Sequence, residues 1–341
     1  MNAHYTWYMR DVMDDVKTWL SVGDPVAVAT VISTWGSAPR PAGSRMAISQ
    51  SGKIAGSVSG GCLEGEVFEQ AQAILKGKPA RLFHYGVSDD LAWTVGLSCG
   101  GEIDVLVEPL AQVHRDLMSA LEAEHPVVLQ TDVGEVPGAR ALLTPADPDV
   151  SDLLNRENPV RQDGQFLEPF PRPPELLIFG GSHVAIPLTR LASAIGFRVT
   201  VVDARSKFAD RDRFPGARRV IHAWPDEVLK DVPMDGSTYV VILTHDPKFD
   251  DPTITAALRG QPRYIGAIGS KKTHRDRVAR LVKSGVDPRE IERVHAPIGL
   301  DIGAQTAEET ALAILAQMVA VRHGKVGGPM PGLKSAPASV A

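Results

Sequence analysis

The chain has 341 residues, 43% of them apolar, which is enough for one large core or two ordinary ones. Its 36 basic and 41 acidic residues leave a formal charge of −5, which excludes a general attraction to nucleic acid or anionic membranes. No signal-peptide pattern or membrane span of ~20 apolar residues is found, so a cytoplasmic protein without stable membrane insertion is expected. The chain has two cysteines, Cys62 and Cys99, which excludes a scaffold of several disulfides but allows one intramolecular disulfide.

The first part of the chain, residues 1–145, is predicted to form a mixed α/β domain. Residues 25–34 are apolar and β-branched, as in a strand, and glycines and prolines over residues 36–43 end this strand. Apolar residues at helical spacing predict a helix over Leu63–Leu75. Further strands are predicted over Arg45–Ser49, Ala80–Tyr85 and Ile103–Val107.

A polar segment rich in helix and strand breakers follows over residues 146–174. It ends in the proline-rich run Pro169–Pro174. This composition favours an extended connection over a packed element, so the segment is predicted to be a linker between two domains.

Residues 175–324 are predicted to form a Rossmann-like, doubly wound parallel-sheet domain. A strand over Leu176–Phe179 is followed by glycines and by a helix over Ala185–Ile195, which Gly196 ends. Further buried strands and intervening helices continue this alternation. These strands are Arg198–Val202, Tyr239–Leu243 and Tyr264–Ile268, and the helices are Pro252–Leu258 and Lys271–Lys283.

The last predicted helix covers Ala307–His323. Thr306 and Glu309 have the spacing of a capping box, and an apolar stripe is predicted to run through Leu312, Leu315 and Val319. Residues 325–341 are predicted to be a disordered tail.

Both cysteines stand beside paired glycines. Cys62 follows Ser59, Gly60 and Gly61 at the start of a predicted helix, whereas Cys99 precedes Gly100 and Gly101. Glycines let backbone N–H groups approach a ligand, and a helix start favours the thiolate, so this context predicts a site for a soft metal or a sulfur atom. The alternative is that each cysteine is a small buried apolar residue in a tight turn.

Four loops are further candidates for ligand binding, and Gly269-Ser270-Lys271 could bind an anion at a helix start. The loop after the first strand carries Arg40 and Arg45, which suit a phosphate, although solvated surface arginines are the alternative. Three more loops adjoin strands or helices of the predicted Rossmann domain, where the carboxyl ends of strands converge. They contain Thr244-His245-Asp246, Gly269-Ser270-Lys271 and the segment 297–303 with Asp301. Ser270 alternatively serves only as a helix cap.

The run Gly180-Gly181-Ser182-His183 lies between a strand and a helix, as a dinucleotide-binding motif requires. Asp203 follows Gly180 by 23 residues, where a ribose-binding acid is expected. Ser182 stands at the position of the second glycine of that motif, which disfavours tight NAD binding. The helix start and the Ser182 hydroxyl could still receive a phosphate, and His183 serves either the helix start or a ligand.

Several of these motifs, in this order, resemble the XdhC/CoxI family, which accompanies molybdenum hydroxylases. They are residues 36–40, 56–65, 99–101 and 297–309. The resemblance implies that the chain binds molybdenum cofactor, takes part with a cysteine desulfurase in exchanging its terminal oxo ligand for sulfur, and delivers it to an apo molybdenum hydroxylase such as xanthine dehydrogenase.

The resulting hypothesis is a cofactor chaperone rather than a metabolic enzyme. Cys62 and Cys99 would hold the molybdenum or relay sulfur, and the glycine loops and Arg40 would hold the pterin phosphate. An NAD(P)-dependent oxidoreductase using Gly180 and Asp203 is one alternative, and an interaction module whose glycines only shape turns is another. The oligomeric state is open, with a homodimer as the default expectation.

Overall fold

The computed structural model describes residues 8–36, 40–86, 101–156 and 158–329. The chain divides into two compact units that separate between Arg172 and Pro173. Both units combine helices with β-sheets, and the sheet of the second is parallel. The predicted fold class, a mixed α/β domain followed by a Rossmann-like domain, is confirmed.

The first unit contains a five-stranded antiparallel sheet in the order β3-β2-β1-β5-β4 and a four-stranded antiparallel sheet in the order β7-β6-β9-β8. The strands are β1 Val26–Trp35, β2 Arg45–Ser49, β3 Ile54–Gly56, β4 Arg81–Tyr85, β5 Glu102–Pro109, β6 Val127–Asp132, β7 Gly138–Leu143, β8 Val160–Gln162 and β9 Gln165–Phe170. The helices are α1 Tyr8–Ser21, α2 Glu64–Leu75, α3 Gln112–Glu122 and α4 Val150–Arg156.

Strand β1 is buried on both of its faces, which explains why it is a nearly continuous apolar run. On one face Ala29 and Val31 pack in a cluster with Val67 of α2. On the other face Ile32 packs in a cluster with Phe166 of β9. The five-stranded sheet therefore lies between a helix and the second sheet, and burial of this apolar surface is the main source of stability.

The predicted linker over residues 146–174 is wrong, because this segment is a packed part of the first unit. It contains α4, β8 and β9, and β9 pairs with β6 from Val127 opposite Phe170 to Asp132 opposite Gln165. Pro169 faces Val128 in the strand, so prolines that suggested an extended connection lie within or directly after β9. Long-range strand pairing here outweighs local composition.

The second unit is built on a parallel six-stranded sheet in the order β12-β11-β10-β13-β14-β15. This is the doubly wound order, in which β11 and β12 are added on one side of β10 and β13 to β15 on the other. The strands are β10 Glu175–Phe179, β11 Arg198–Asp203, β12 Arg219–His222, β13 Thr238–Ile242, β14 Tyr264–Ala267 and β15 Val294–His295. The helices are α5 Ala185–Ala194, α6 Pro225–Leu229, α7 Pro247–Leu258, α8 Lys271–Lys283, α9 Pro288–Ile291 and α10 Ala307–Arg322.

Helices cover both faces of this sheet. One apolar cluster joins α5 and α10 to the strands through residues such as Leu188 and Ile314, and a second joins α7 and α8 through Ile254 and Leu281. Burial on both faces accounts for the unbroken apolar strands.

The capping box of α10 is confirmed, since Glu309 N donates to Thr306 Oγ1 at 3.1 Å and Thr306 N donates to the Glu309 carboxylate at 3.0 Å. The predicted apolar stripe of this helix is partly wrong. Leu312 is 51% exposed, while the buried face runs through Ala311, Ile314, Leu315 and Met318. The core-facing stripe is thus rotated by one residue, and small alanines form part of it.

Among the described residues, no helix is both long and apolar enough to cross a membrane. Most of the predicted tail, residues 330–341, lies outside the described residues, and residues 325–329 contain no helix.

Candidate functional site

The segment from Ser57 to Glu64, here called the Glu64 loop, folds around its own carboxylate. Glu64 accepts hydrogen bonds from the hydroxyls of Ser57 and Ser59, both at 2.6 Å. It also accepts from the backbone N–H groups of Ser59 at 2.9 Å, Gly60 at 3.1 Å and Gly61 at 2.8 Å. The N–H groups that were predicted to hold a phosphate are therefore already used within the loop.

The carboxylate of Glu64 stays ionised under all physiological conditions. Burial alone would raise the pKa of Glu64, but hydrogen bonds from Ser57 and Ser59 outweigh it and lower the pKa to about 2. Because charge-assisted hydrogen bonds are the stronger kind, these contacts stabilise the conformation of the Glu64 loop.

Cys62 lies at the exposed surface of the Glu64 loop, two residues before α2 begins at Glu64. Its neighbours Gly60 and Gly61 are also exposed, and a Cβ placed on Gly61 would meet no atom within 4 Å. The loop thus presents a thiol at a helix start, as predicted, with open space beside it. Cys99 and Gly100 lie outside the described residues, whereas Gly101 is buried directly before β5.

The two arginines of the first predicted anion loop have different environments. Arg40 is only partly buried. Arg45 instead pairs with Glu168 through two hydrogen bonds of 2.7 and 2.5 Å, and its side chain is 1% exposed. Arg45 therefore joins β2 to β9, and only Arg40 is available to a ligand.

A polar cluster that no sequence motif indicated lies on four strands of the first unit and is here called the Asp104 cluster. Asp104 of β5 accepts hydrogen bonds from Ser33 of β1 at 2.7 Å and from Arg161 of β8 at 2.7 Å, and His84 Nδ1 of β4 lies 2.8 Å from it. Burial would raise the pKa of Asp104, but these hydrogen bonds outweigh it and lower the pKa. Strand register could have indicated the cluster, since Ser33 and His84 both face Asp104.

The glycine loop of the second unit, residues 180–183 and here called the Asp203 loop, is covered by the chain itself. A Cβ on Gly180 would lie 2.6 Å from Thr244 Cγ2, and one on Gly181 would lie 2.3 Å from the carbonyl oxygen of Phe208. Both glycines are therefore needed for close packing within the protein. The space that a dinucleotide pyrophosphate uses in a Rossmann fold is not left open over Gly181.

Asp203 was predicted to contact a ribose, but its carboxylate is buried and already hydrogen-bonded within the protein. It is 2% exposed, and it accepts hydrogen bonds from Gly181 N at 2.9 Å and from the side chain of Arg205 at 2.8 and 2.9 Å. Burial opposes ionisation of Asp203, but the hydrogen bonds from Arg205 and Gly181 outweigh burial and lower its pKa. Arg205 in turn stacks on Phe208, with its guanidinium 3.9 Å from the ring centre.

The other candidates of the second unit lie in separate surroundings. His183 is exposed, and the Ser182 hydroxyl is buried without a hydrogen-bond partner among the described residues. Ser270 caps α8, accepting from Thr273 N at 3.1 Å, and Gly269 precedes it with a φ of 137°. Asp301 is exposed in the loop before α10.

A second hydrogen-bond network that no sequence motif indicated joins the carboxyl ends of β13 and β14. Asp250 of α7 hydrogen-bonds to Thr244, and Arg277 Nη2 of α8 donates to Asp250 at 2.8 Å and to Ile268 O at 3.0 Å. Asp250 and Arg277 are both buried. No sequence motif links these residues, because the contact depends on how α7 and α8 pack.

The described residues contain no group of three or more histidine, cysteine, aspartate or glutamate side chains suited to a metal ion. Cys62 alone offers one sulfur ligand, which is fewer than a metal site built only from protein side chains requires.

Two family models match the chain. The model described as the XdhC Rossmann domain matches residues 176–318, and the model described as the XdhC and CoxI family matches residues 19–86. Together they span more than half of the chain and reach into both units.

Relatives and a solved structure match over nearly the whole length. The chain is 29% identical over 319 residues to a probable xanthine dehydrogenase subunit of Bacillus subtilis strain 168, covering 88% of this chain and 94% of that protein. It is 29% identical over 307 residues to the molybdenum cofactor insertion chaperone PaoD of Escherichia coli strain K12, covering 89% and 85%. A crystal structure described as a xanthine dehydrogenase from Bacillus halodurans shares 27% identity and a TM-score of 0.63, over 94% of this chain and 98% of that one.

Proposed function

Because this chain belongs to the XdhC and CoxI family, we propose that it is an accessory protein that binds molybdenum cofactor and delivers it to a molybdenum hydroxylase of the xanthine dehydrogenase type. The names of two relatives support this proposal, one being a molybdenum cofactor insertion chaperone and the other a probable xanthine dehydrogenase subunit. Insertion requires transient binding, which suits a surface loop better than a deep pocket.

The observation that carries the proposal is the presentation of Cys62 on the Glu64 loop. The thiol is exposed, it stands two residues before a helix begins, and the loop beneath it is held by an ionised carboxylate. A cysteine sulfur on an exposed loop can bind a soft metal centre and release it to a partner. Molybdenum cofactor would supply that metal centre together with a pterin phosphate.

A finer part of the proposal concerns sulfur. We propose that the chain assists the exchange of the terminal oxo ligand of the cofactor for sulfur, together with a cysteine desulfurase, and that Cys99 is a second thiol for this step. Accessibility of Cys62 supports this role, because a sulfur-donating enzyme must reach the accepting group. Arg40, which keeps part of its surface, remains a candidate for the phosphate end of the cofactor.

The alternative function, an NAD(P)-dependent oxidoreductase, finds no support in the Asp203 loop. Its acidic residue is bound to Arg205 and Gly181, and Phe208 stands over the second glycine. Titration with NADH and NADPH tests this directly, and we expect no saturable binding at micromolar concentrations. Saturable micromolar binding of either nucleotide would restore the oxidoreductase.

The proposal is tested by purifying the full chain from a host that makes molybdenum cofactor and assaying bound molybdenum and pterin. We expect both in the wild type and neither in Cys62→Ser. The matched control moves the thiol: Ser151 is exposed on α4 of the same unit, so the double variant Cys62→Ser/Ser151→Cys keeps an exposed thiol elsewhere.

The double variant should remain empty if the position of Cys62 matters. Binding restored by Ser151→Cys would reduce the site to a nonspecific thiol. A wild-type protein that carries no pterin in a host that makes it would contradict direct cofactor carriage.

A further inference from the structure

The start of helix α8 concentrates positive charge. Lys271 and Lys272 occupy its first two positions, both side chains are exposed, and the first turn contains no acidic residue. Basic side chains at a helix start are unfavourable, because the helix dipole places partial positive charge there. The cap does not offset this charge, since Ser270 is neutral.

A buried arginine adds to this charge from beneath. Arg277 is 1% exposed, and its Nη2 donates to Ile268 O at 3.0 Å. Since Ile268 lies two residues before Ser270, the guanidinium contacts the strand end that leads into α8. Its Nε and Nη1 have no hydrogen-bond partner among the described residues. Unpaired buried donors are costly, so a bound oxygen atom is expected at this place.

The start of α8 differs from the two glycine loops in what accepts its backbone N–H groups. In those loops a carboxylate of the protein accepts the backbone N–H groups, from Gly60 and Gly61 to Glu64 and from Gly181 to Asp203. In the described part of the chain, no carboxylate accepts a hydrogen bond from the N–H groups of Lys271 or Lys272. Asp250 instead forms an ion pair with Arg277.

We propose that the start of α8 binds a phosphate group, carried as a monoester or an anhydride. The N–H groups and ammonium groups of Lys271 and Lys272 would bind its outer oxygens, and Arg277 would donate to it from the buried side. The residues and contacts at the start of α8 support a phosphate site independently of the proposed function. Only its assignment to the phosphate of the pterin rests on the proposed function, and a free nucleotide offers the same group.

The test is calorimetric titration of the full chain with inorganic pyrophosphate. The central variant is Lys272→Glu, and the matched control is Lys283→Glu, which makes the same charge change 11 residues further along α8. That spacing is roughly 16 Å along a helix, beyond the Debye length of about 8 Å at physiological salt. We expect about tenfold weaker binding in Lys272→Glu and a change within about twofold in Lys283→Glu.

Loss of folding does not explain such a result, because an acidic residue at a helix start stabilises the helix. The melting temperature of Lys272→Glu should equal or exceed that of the wild type. Arg277→Lys provides a second variant, which keeps the charge opposite Asp250 but removes the fork of donors. It should also weaken pyrophosphate binding. Absent binding in the wild type, or equal weakening by both glutamate variants, would overturn the proposal.

The pterin assay separates the two sources of the phosphate. If Lys272→Glu loses both pyrophosphate and bound pterin, the site holds the phosphate of the cofactor. If it loses pyrophosphate but keeps pterin, the site holds a free nucleotide or phosphate. Pyrophosphate binding that persists while wild-type protein carries no pterin would refute the proposed function and leave the phosphate site intact.

Discussion

In both the Glu64 loop and the Asp203 loop a carboxylate accepts hydrogen bonds from glycine N–H groups, but only the Glu64 loop keeps an open surface. Each has paired glycines between a strand and a helix, and each gives glycine N–H groups to a carboxylate of the protein. In the Glu64 loop the carboxylate lies on the inner side and the surface remains open around Cys62. In the Asp203 loop Phe208 stands over Gly181. Similar glycine motifs thus produce one presenting loop and one closed loop.

The largest expected effect distinguishes the two loops by steric contact. In Gly181→Ala the new Cβ would lie 2.3 Å from the carbonyl oxygen of Phe208, so the backbone must shift. We expect a loss of about 3 kcal/mol of stability, measured by thermal unfolding. Gly65→Ala is the control, since a Cβ there meets nothing within 4 Å and lies in the first turn of α2. An unchanged melting temperature in Gly181→Ala would contradict the closed loop.

The second prediction removes the ionised acceptor of the open loop. Glu64→Gln replaces a carboxylate that accepts two serine hydroxyls and several backbone N–H groups. We expect a loss of about 2 kcal/mol. The amides of Ser59, Gly60 and Gly61 should also lose protection in hydrogen exchange, whereas amides in the second unit should not. Protection that survives in this variant would mean that the loop does not depend on Glu64.

The third prediction concerns pH. The pKa of Glu64 is lowered from 4.5 to about 2 in the folded protein, so its stabilising contribution is complete above pH 4.5 and is lost as the pH falls towards 2. The difference in stability between the wild type and Glu64→Gln should therefore shrink by about 1–2 kcal/mol over this range, a figure reduced for partial exposure of the group. Urea unfolding at several pH values measures it, and a constant difference would argue against an ionised Glu64.

The smallest expected effect is that of Cys62→Ser on stability. Because the side chain is exposed, the change should stay within about 0.5 kcal/mol. The same substitution should abolish cofactor binding, so function and stability separate at this residue. Rapid alkylation of Cys62 in the folded protein, followed by mass spectrometry, tests its accessibility independently. Slow alkylation in native conditions and fast alkylation in urea would show that the thiol is buried.

Much of the fold follows from local sequence. The apolar run of β1, the helix at Leu63–Leu75 and the capping box of α10 were each predicted within a residue or two, because strand burial, helical spacing and caps are local signals. The segment over residues 146–174 was not predicted, because its strands are held by pairing with β6, far away in sequence.

The candidate site, too, could be predicted only where the signal is local in sequence. A thiol at a helix start could be predicted from Cys62 and its neighbours. Which group accepts hydrogen bonds from the glycine N–H groups could not be predicted, because paired glycines indicate only that donors are present. Glu64 carried a usable signal, since it follows Gly61 by three residues and starts the helix. The contact between Arg277 and Asp250 had no such signal, because it depends on packing between two helices.

The ion pair between Arg45 and Glu168 limits where the chain can be cut. Both side chains are buried, and they join β2 near the beginning of the first unit to β9 near its end. A fragment ending at residue 145 would leave the Arg45 guanidinium buried without its counter-charge, at a cost of about 3–5 kcal/mol. The stretch recognised by the family model over residues 19–86 is therefore only part of a folding unit. Limited proteolysis should yield a stable amino-terminal fragment only if it extends through Phe170.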